Sequence, residues 1–191
     1  MRRNRSENLF AASIAASRAA AETDDALLER TRRGDRFAFA PLATRYWGAV
    51  QRIAWHMVPD PAAAAKIVEA VFLAVLEAGD SFPEDVSFKT SLYRVTLGQS
   101  WRRLEDLPAS GASGVVESSG AEQIREALLR LDPLDRAAIL LREVGQLSAG
   151  EAAAVLGVTP ASIHRRTHLA TLALMKPLGL ARTSGLRLAA C

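Results

Sequence analysis

Apolar residues recur at intervals of three and four along most of the chain, which is the spacing of amphipathic helices. In the first half, this pattern is broken by Gly34, by the Pro59-Asp-Pro61 stretch and by a polar segment from Gly79 to Ser87. Asp24 or Asp25 is placed to cap the first helix. The pattern predicts four helices, over residues 24–33, 35–58, 62–78 and 88–104.

Gly, Ser, Ala and Pro replace the periodic pattern between Glu105 and Glu122, and helical spacing resumes after them. A stretch of this composition is typical of a flexible linker. The chain is therefore predicted to be all-α, with two small helical domains joined by a flexible linker. The predicted segments are an N-terminal extension (1–23), a first domain (24–105), the linker (106–121), a second domain (122–176) and a C-terminal tail (177–191).

The second domain contains the most regular local pattern in the sequence. Ser148 and Glu151 have the spacing of a capping box, in which each side chain satisfies a free backbone N–H at a helix start. Gly157 is placed to end that helix in the left-handed conformation, and Thr159 and Pro160 suit the start of the next. Two helices joined by so short a turn predict a helix-turn-helix.

The first two turns of the second helix in this motif enter the DNA major groove. Arginine there can form paired hydrogen bonds with guanine or bind phosphate. The alternative is an ordinary helical hairpin whose basic residues form a solvated face. The pair His164 and His168 has metal-ligand spacing but no third ligand candidate nearby, so no metal site is predicted. The candidate DNA-contacting residues are Ser162, His164, Arg165, Arg166 and His168.

Composition narrows the class of protein. The 191 residues are 49% apolar, and the formal charge of +3 is compatible with nucleic-acid binding. The one cysteine, Cys191, permits neither an intrachain disulfide nor a cysteine zinc site. No apolar run reaches the roughly 18 residues that span a bilayer, so a cytoplasmic protein without membrane insertion is expected. No phosphate loop or nucleophile elbow is present, and no catalysis, cofactor or small-molecule substrate is expected.

Longer stretches add a family resemblance. The segment "LDPLDRAAILLREVGQLSAGEAAAVLGVTPASIHRRTHLA" and the segments "VEAVFLAVLEAGDSF" and "SFKTSLYRV" resemble regions four and two of the extracytoplasmic-function (ECF) sigma factors. The resemblance implies a promoter-recognition subunit that binds core RNA polymerase and promoter DNA. It implies that the first domain melts the minus-ten element and that the second reads the minus-thirty-five element. A partner anti-sigma factor is implied as well.

The resemblance also assigns residues in the first domain. The helix that begins near Phe88 would meet the unpaired DNA strand, where cations contact phosphate and Tyr93 or Phe88 stacks on a base. The alternative for both aromatic residues is a place in the helix core, which is the expectation for Phe88. The DNA-contacting residues implied there are Lys89, Thr90, Tyr93, Arg94, Arg102 and Arg103. The polymerase-binding residues implied in the preceding helix are Lys66, Glu69 and Phe72.

One departure from the family leaves a second function open. Ala65 and Lys66 stand where the family carries acidic residues on its polymerase-binding surface, and lost charge complementarity weakens docking. A sigma-like DNA-binding regulator, or an anti-sigma decoy with weak or no polymerase binding, is the alternative. An enzyme is the third class, but candidate carboxylates such as Asp132 and Asp135 are better explained as helix caps.

Overall fold

The computed structural model describes residues 22–78, 86–106, 120–175 and 177–178. Eight α-helices and one short 3₁₀ turn make up its regular structure, and these described residues contain no strand. The predicted all-α class is therefore confirmed. The helices are α1 (Asp24–Arg32), α2 (Phe39–Met57), α3 (Pro61–Ala78), α4 (Phe88–Glu105), α5 (Gly120–Leu129), α6 (Pro133–Glu143), α7 (Ala149–Leu156) and α8 (Pro160–Met175), and the 3₁₀ turn is Arg36–Ala38.

Helices α1 to α4 form the first unit, in which α2 packs against both α3 and α4. The predicted stripes are buried: the apolar faces of these helices supply its core, with Phe88 among them as expected. The second predicted helix begins later than the pattern suggested, because Asp35 caps the 3₁₀ turn through a bond from the Phe37 N–H and α2 starts only at Phe39.

The cap of α1 corrects a prediction. The side chain of Thr23 accepts the bond from the Ala26 N–H, so neither Asp24 nor Asp25 is the N-cap. Asp24 instead binds α2, accepting a 2.6 Å hydrogen bond from Arg45 and a short one from the Tyr46 hydroxyl. The Asp24 carboxylate therefore accepts hydrogen bonds from tertiary partners on α2, whereas local spacing predicted that it caps α1.

Helices α5 to α8 form the second unit, and its local signals are realised as predicted. Asp132 caps α6 with Pro133 in its first turn. Ser148 and Glu151 form both bonds of a capping box at the start of α7. Gly157 ends that helix with φ +66°, the left-handed region that glycine reaches without strain.

The two units are packed against each other. Helix α2 contacts α5 and α6, helix α4 contacts α7, and the buried apolar side chains of both units belong to one core cluster. We call this contact the inter-unit interface. The residues that form it are Trp55, Val58, Pro59, Lys89, Tyr93 and Arg94 from the first unit and Arg125, Gly145, Gln146 and Ala154 from the second. Most of the predicted linker, extension and tail, and most of the loop 79–87, lie outside the described residues.

No helix in the described ranges has the length and apolarity required to cross a membrane.

Beside this interface, His56 is buried in α2 and its Nδ1 has no hydrogen-bond partner. Burial, together with the positive charges of Arg125 and Arg52, lowers the pKa of His56 from 6.5 to about 4. A cavity of about 250 Å³ adjoins this residue, between α2 and the start of α5. His56 is therefore neutral in the folded protein near pH 7.

We expect the free energy of unfolding to fall by about 2 kcal/mol between pH 7 and pH 5 on account of His56. In that window the unfolded chain binds a proton that the folded chain does not, so stability present above pH 6.5 is lost as the pH falls towards 4. Urea unfolding at several pH values measures this. His56→Gln should flatten this part of the profile; a variant profile as steep as that of the wild type would contradict the assignment.

Candidate nucleic-acid interface

The second helix of the predicted motif, α8, is held by its inner face and presents its basic residues outward. Ile163, Ala170 and Leu174 are buried against the rest of the unit. Its start is capped by Thr159, whose hydroxyl accepts a bond from the Ser162 N–H. His164, Arg165 and His168 are exposed and Ser162 is half-buried. The first two turns therefore offer cationic and hydrogen-bonding groups to solvent beside a helix N-terminus, where phosphate is favoured.

Arg166 lies differently from its neighbour Arg165. Its Nη1 donates a 2.5 Å hydrogen bond to the Asp135 carboxylate on α6, and both side chains are about four-fifths buried, at 23% and 22% exposure. The Nε atom of Arg166 is buried without a hydrogen-bond partner. In this arrangement Arg166 joins α8 to α6, while Arg165 is available to a ligand.

The outer face of α8 becomes apolar towards its C-terminus. Leu169 and Leu172 are exposed, and the Thr171 hydroxyl bonds back to the Thr167 carbonyl within the helix. The Thr167 hydroxyl is itself buried without a partner. The cationic surface of α8 is thus confined to its first half.

On α4, three of the residues predicted to contact DNA lie at the inter-unit interface. Lys89 Nζ donates to the Gln146 carbonyl and Arg94 Nη2 to the Ala154 carbonyl, each at 2.8 Å. Tyr93 is 2% exposed. A Cβ atom added to Gly145 would lie 2.7 Å from the Leu141 carbonyl oxygen of its own unit and 3.1 Å from the Tyr93 ring of the other, so a side chain at this position would clash within the second unit and with the first.

The other α4 candidates are split between its two ends. Thr90 is buried at the N-terminus, where its N–H and hydroxyl bond to the side chain of the N-cap residue Ser87. Arg102 is exposed and Arg103 is half-buried in the last turn. The structure therefore does not gather Lys89, Arg94 and this arginine pair at one end of the helix.

The three residues predicted to bind polymerase all lie on α3. Lys66 and Glu69 are exposed, whereas the Phe72 ring is buried beneath Trp47 of α2, with ring centroids 5.2 Å apart and nearly parallel. Sequence reasoning missed Trp47 and Leu73, which are both exposed here although their type favours burial. Their positions on the outer side of an apolar stripe are the signal that would have identified them.

Sequence reasoning also missed Arg125, the most extensively bonded cation of the inter-unit interface. Its guanidinium donates to the Trp55, Val58 and Pro59 carbonyls, at 3.2, 3.0 and 2.7 Å, and lies 4.5 Å from the centre of the Trp55 ring. Those carbonyls form the C-terminal end of α2, where a helix attracts positive charge. Partial burial lowers the pKa of Arg125.

The described part of the chain contains no group of three or more His, Cys, Asp or Glu side chains arranged to hold a metal ion.

Comparison with known proteins gives matches to both units. The family model "Sigma-70, region 4" matches residues 121–174. The ECF RNA polymerase sigma-E factor of Escherichia coli (strain K12) is 30% identical over 169 residues, covering 75% of this chain and 88% of the relative. RNA polymerase sigma factor NccH of Alcaligenes xylosoxydans xylosoxydans is 28% identical over 163 residues, with the same coverage.

Two solved structures share the fold. CnrH, in complex with the cytosolic domain of CnrY, has a TM-score of 0.67 and 25% identity, over 83% of this chain and 98% of that one. The sigma factor RpoE, in complex with the anti-sigma factor NepR from Bartonella quintana, has a TM-score of 0.66 and 20% identity, over 75% and 98%. The likeness thus extends through both helical units.

Proposed function

The chain belongs to the extracytoplasmic-function (ECF) sigma factors of bacterial RNA polymerase, and from this premise we propose how its two units divide promoter recognition. The second unit reads the minus-thirty-five element, and the first unit binds polymerase and the melted minus-ten strand. The observation that carries this division is the capped helix pair α7–α8, which presents Arg165 beside a helix N-terminus within the segment that matches sigma region 4.

In the second unit, α8 lies in the major groove. Arg165 contacts a base edge or phosphate, and Ser162, His164 and His168 add polar contacts from the same two turns. The sequence predicts only a DNA contact for Arg166. Its bond to Asp135 gives it a second role, which is to fix the angle at which α8 is presented. Its remaining N–H groups can still contact phosphate from that position.

In the first unit, α4 binds the unpaired strand through Lys89 and Arg94, with Tyr93 as the stacking aromatic and Thr90 near the N-terminus. Arg102 and Arg103 provide further phosphate contacts at the other end of the helix. The polymerase-binding surface is the outer side of α3. There Lys66 and Glu69 flank exposed Leu73, and Phe72 supports Trp47 from below.

This function implies partners rather than substrates. Core RNA polymerase and promoter DNA are the two required partners, and the protein works in the cytoplasm, where both are found. An anti-sigma factor is proposed as a third partner, since RpoE was solved with NepR. The sigma factors it is similar to are transcription proteins rather than enzymes, and no chemistry of its own is proposed for this chain.

Run-off transcription tests the proposal. Core polymerase, the purified chain and DNA from upstream of its own coding region should yield a discrete transcript that is absent without the chain. Lys89→Ala with Arg94→Ala should lower its yield about 10-fold, since two phosphate contacts are removed. The double variant should still co-purify with core polymerase. The control is Arg130→Ala, which removes an exposed positive charge whose ion-pair partner is Glu126 of α5.

The absence of any transcript, or failure of the wild-type chain to bind core polymerase in a pull-down, would contradict the proposal. The second result is the one that the decoy alternative requires.

A further inference from the structure

The face of α4 that is proposed to bind single-stranded DNA lies against the second unit. Tyr93 is buried there beside Gly145, while Lys89 is half-buried and Arg94 is exposed. Lys89 and Arg94 each donate to a carbonyl on the far side of the interface. A DNA base can reach Tyr93, and the two cations give up these bonds, when the second unit moves away from α4.

The hydrogen bonds that hold the two units together at this interface are of one chemical kind. Lys89, Arg94 and Arg125 each direct a full positive charge at backbone carbonyl oxygens of the opposite unit. A cation forms a stronger hydrogen bond with an ionised acceptor, such as phosphate, than with a neutral carbonyl. The bonds that Lys89 and Arg94 make across the interface are thus of a kind that a phosphate backbone can replace.

Arg125 differs from the other two cations in its position. It lies on α5, donates to carbonyls at the C-terminal end of α2 and lies over the Trp55 ring.

 Arg125 thus holds the two units together without belonging to the proposed DNA-binding or polymerase-binding residues. A change at Arg125 therefore loosens the interface while leaving both proposed binding surfaces intact.

We propose that the inter-unit interface is an autoinhibitory contact, which keeps the minus-ten-binding face of α4 closed in the free protein and is held by the Arg125 clamp on α2. This inference rests on the proposed function of α4. The closed state lowers the apparent affinity for single-stranded DNA by the fraction of molecules that are open. Binding to polymerase, or to the unpaired strand itself, favours the open state.

Amine labelling measures the closure directly, because the sequence has lysine only at positions 66, 89 and 176. Lys66 is exposed on α3 and serves as the internal reference, whereas Lys89 is engaged by the Gln146 carbonyl. In the wild-type chain an amine-reactive reagent should modify Lys89 more slowly than Lys66. In Arg125→Ala the rate at Lys89 should rise severalfold, with the rate at Lys66 unchanged.

Single-strand binding measures the consequence. The probe is a fluorescent oligothymidine, whose binding needs phosphate contacts and base stacking but no promoter sequence. Arg125→Ala should bind it about 10-fold more tightly than the wild type, although it has lost a positive charge, because a larger fraction of molecules is open. Arg125→Lys should fall between the two. The control is Arg130→Ala, which removes the same charge away from the interface and should not tighten binding.

Three results would overturn the inference: equal labelling of Lys89 and Lys66 in the wild type, no change at Lys89 in Arg125→Ala, or faster labelling of Lys89 without tighter binding. Circular dichroism on each variant shows that its helices are retained. Failure of the proposed function is a separate result, since run-off transcription with the wild-type chain tests it without reference to Arg125.

Discussion

Replacing Leu174 with alanine is expected to lower the free energy of unfolding by about 2–5 kcal/mol. Leu174 is fully buried, at 0% exposure, in the last turn of α8. Truncation removes buried methyl groups and leaves a cavity that the surrounding helices fill only in part. Since α8 packs mainly on α6 and α7, the loss should loosen the helix that carries Arg165. Urea unfolding followed by circular dichroism measures the change.

Leu172 provides the matched control, because it lies two residues earlier on the same helix and is 44% exposed. The same substitution there is expected to cost under about 0.5 kcal/mol. Helix propensity changes equally in the two variants, so the difference between them isolates burial. Similar losses at both positions would contradict the orientation of α8 described above.

The burial of Leu174 and the exposure of Leu172 follow from the local sequence pattern, and so does most of the helix-turn-helix. Ile163, Ala170 and Leu174 share one face at helical spacing, and all three are buried. The capping box at Ser148 and the left-handed Gly157 depend on residues within four positions of each other. Signals of this range can be read directly from a single sequence because local geometry determines them.

The inter-unit interface could not be predicted in this way. Arg94 and the Ala154 carbonyl are separated by 60 positions, and Arg125 and the Trp55 carbonyl by 70. Every residue carries a backbone carbonyl, so an acceptor of this kind leaves no trace in residue type. Residue type therefore indicates a DNA contact for Lys89 and Arg94 but not the acceptors that the structure gives both of them within the chain.

Arg166 shows the same limit at shorter range. Helical spacing places it beside Arg165 in the first turns of α8, and residue type alone makes the two equivalent. The carboxylate that separates them is Asp135, 31 positions earlier on α6. A long arginine side chain reaches such a partner from a position that is only half-buried.

Reversing the charge of Arg165, by Arg165→Glu, is expected to weaken binding to a minus-thirty-five duplex about 100- to 1,000-fold. A lost bidentate contact costs about 1–3 kcal/mol, and repulsion between the new carboxylate and the DNA adds to that cost. Arg165 is exposed, so folding stability should change by less than about 0.5 kcal/mol. Fluorescence anisotropy with duplex DNA from upstream of the coding region, at fixed salt concentration, measures the affinity.

Arg166→Ala tests whether the two neighbours differ as the structure indicates. It leaves the Asp135 carboxylate without its partner, so it should lower the free energy of unfolding by about 1–3 kcal/mol. Asp135→Asn should lower stability in the same direction without removing any side chain that is proposed to contact DNA. If Arg165→Glu destabilised the fold as much as Arg166→Ala, or left duplex binding unchanged, Arg165 would not be the exposed cation through which α8 contacts DNA.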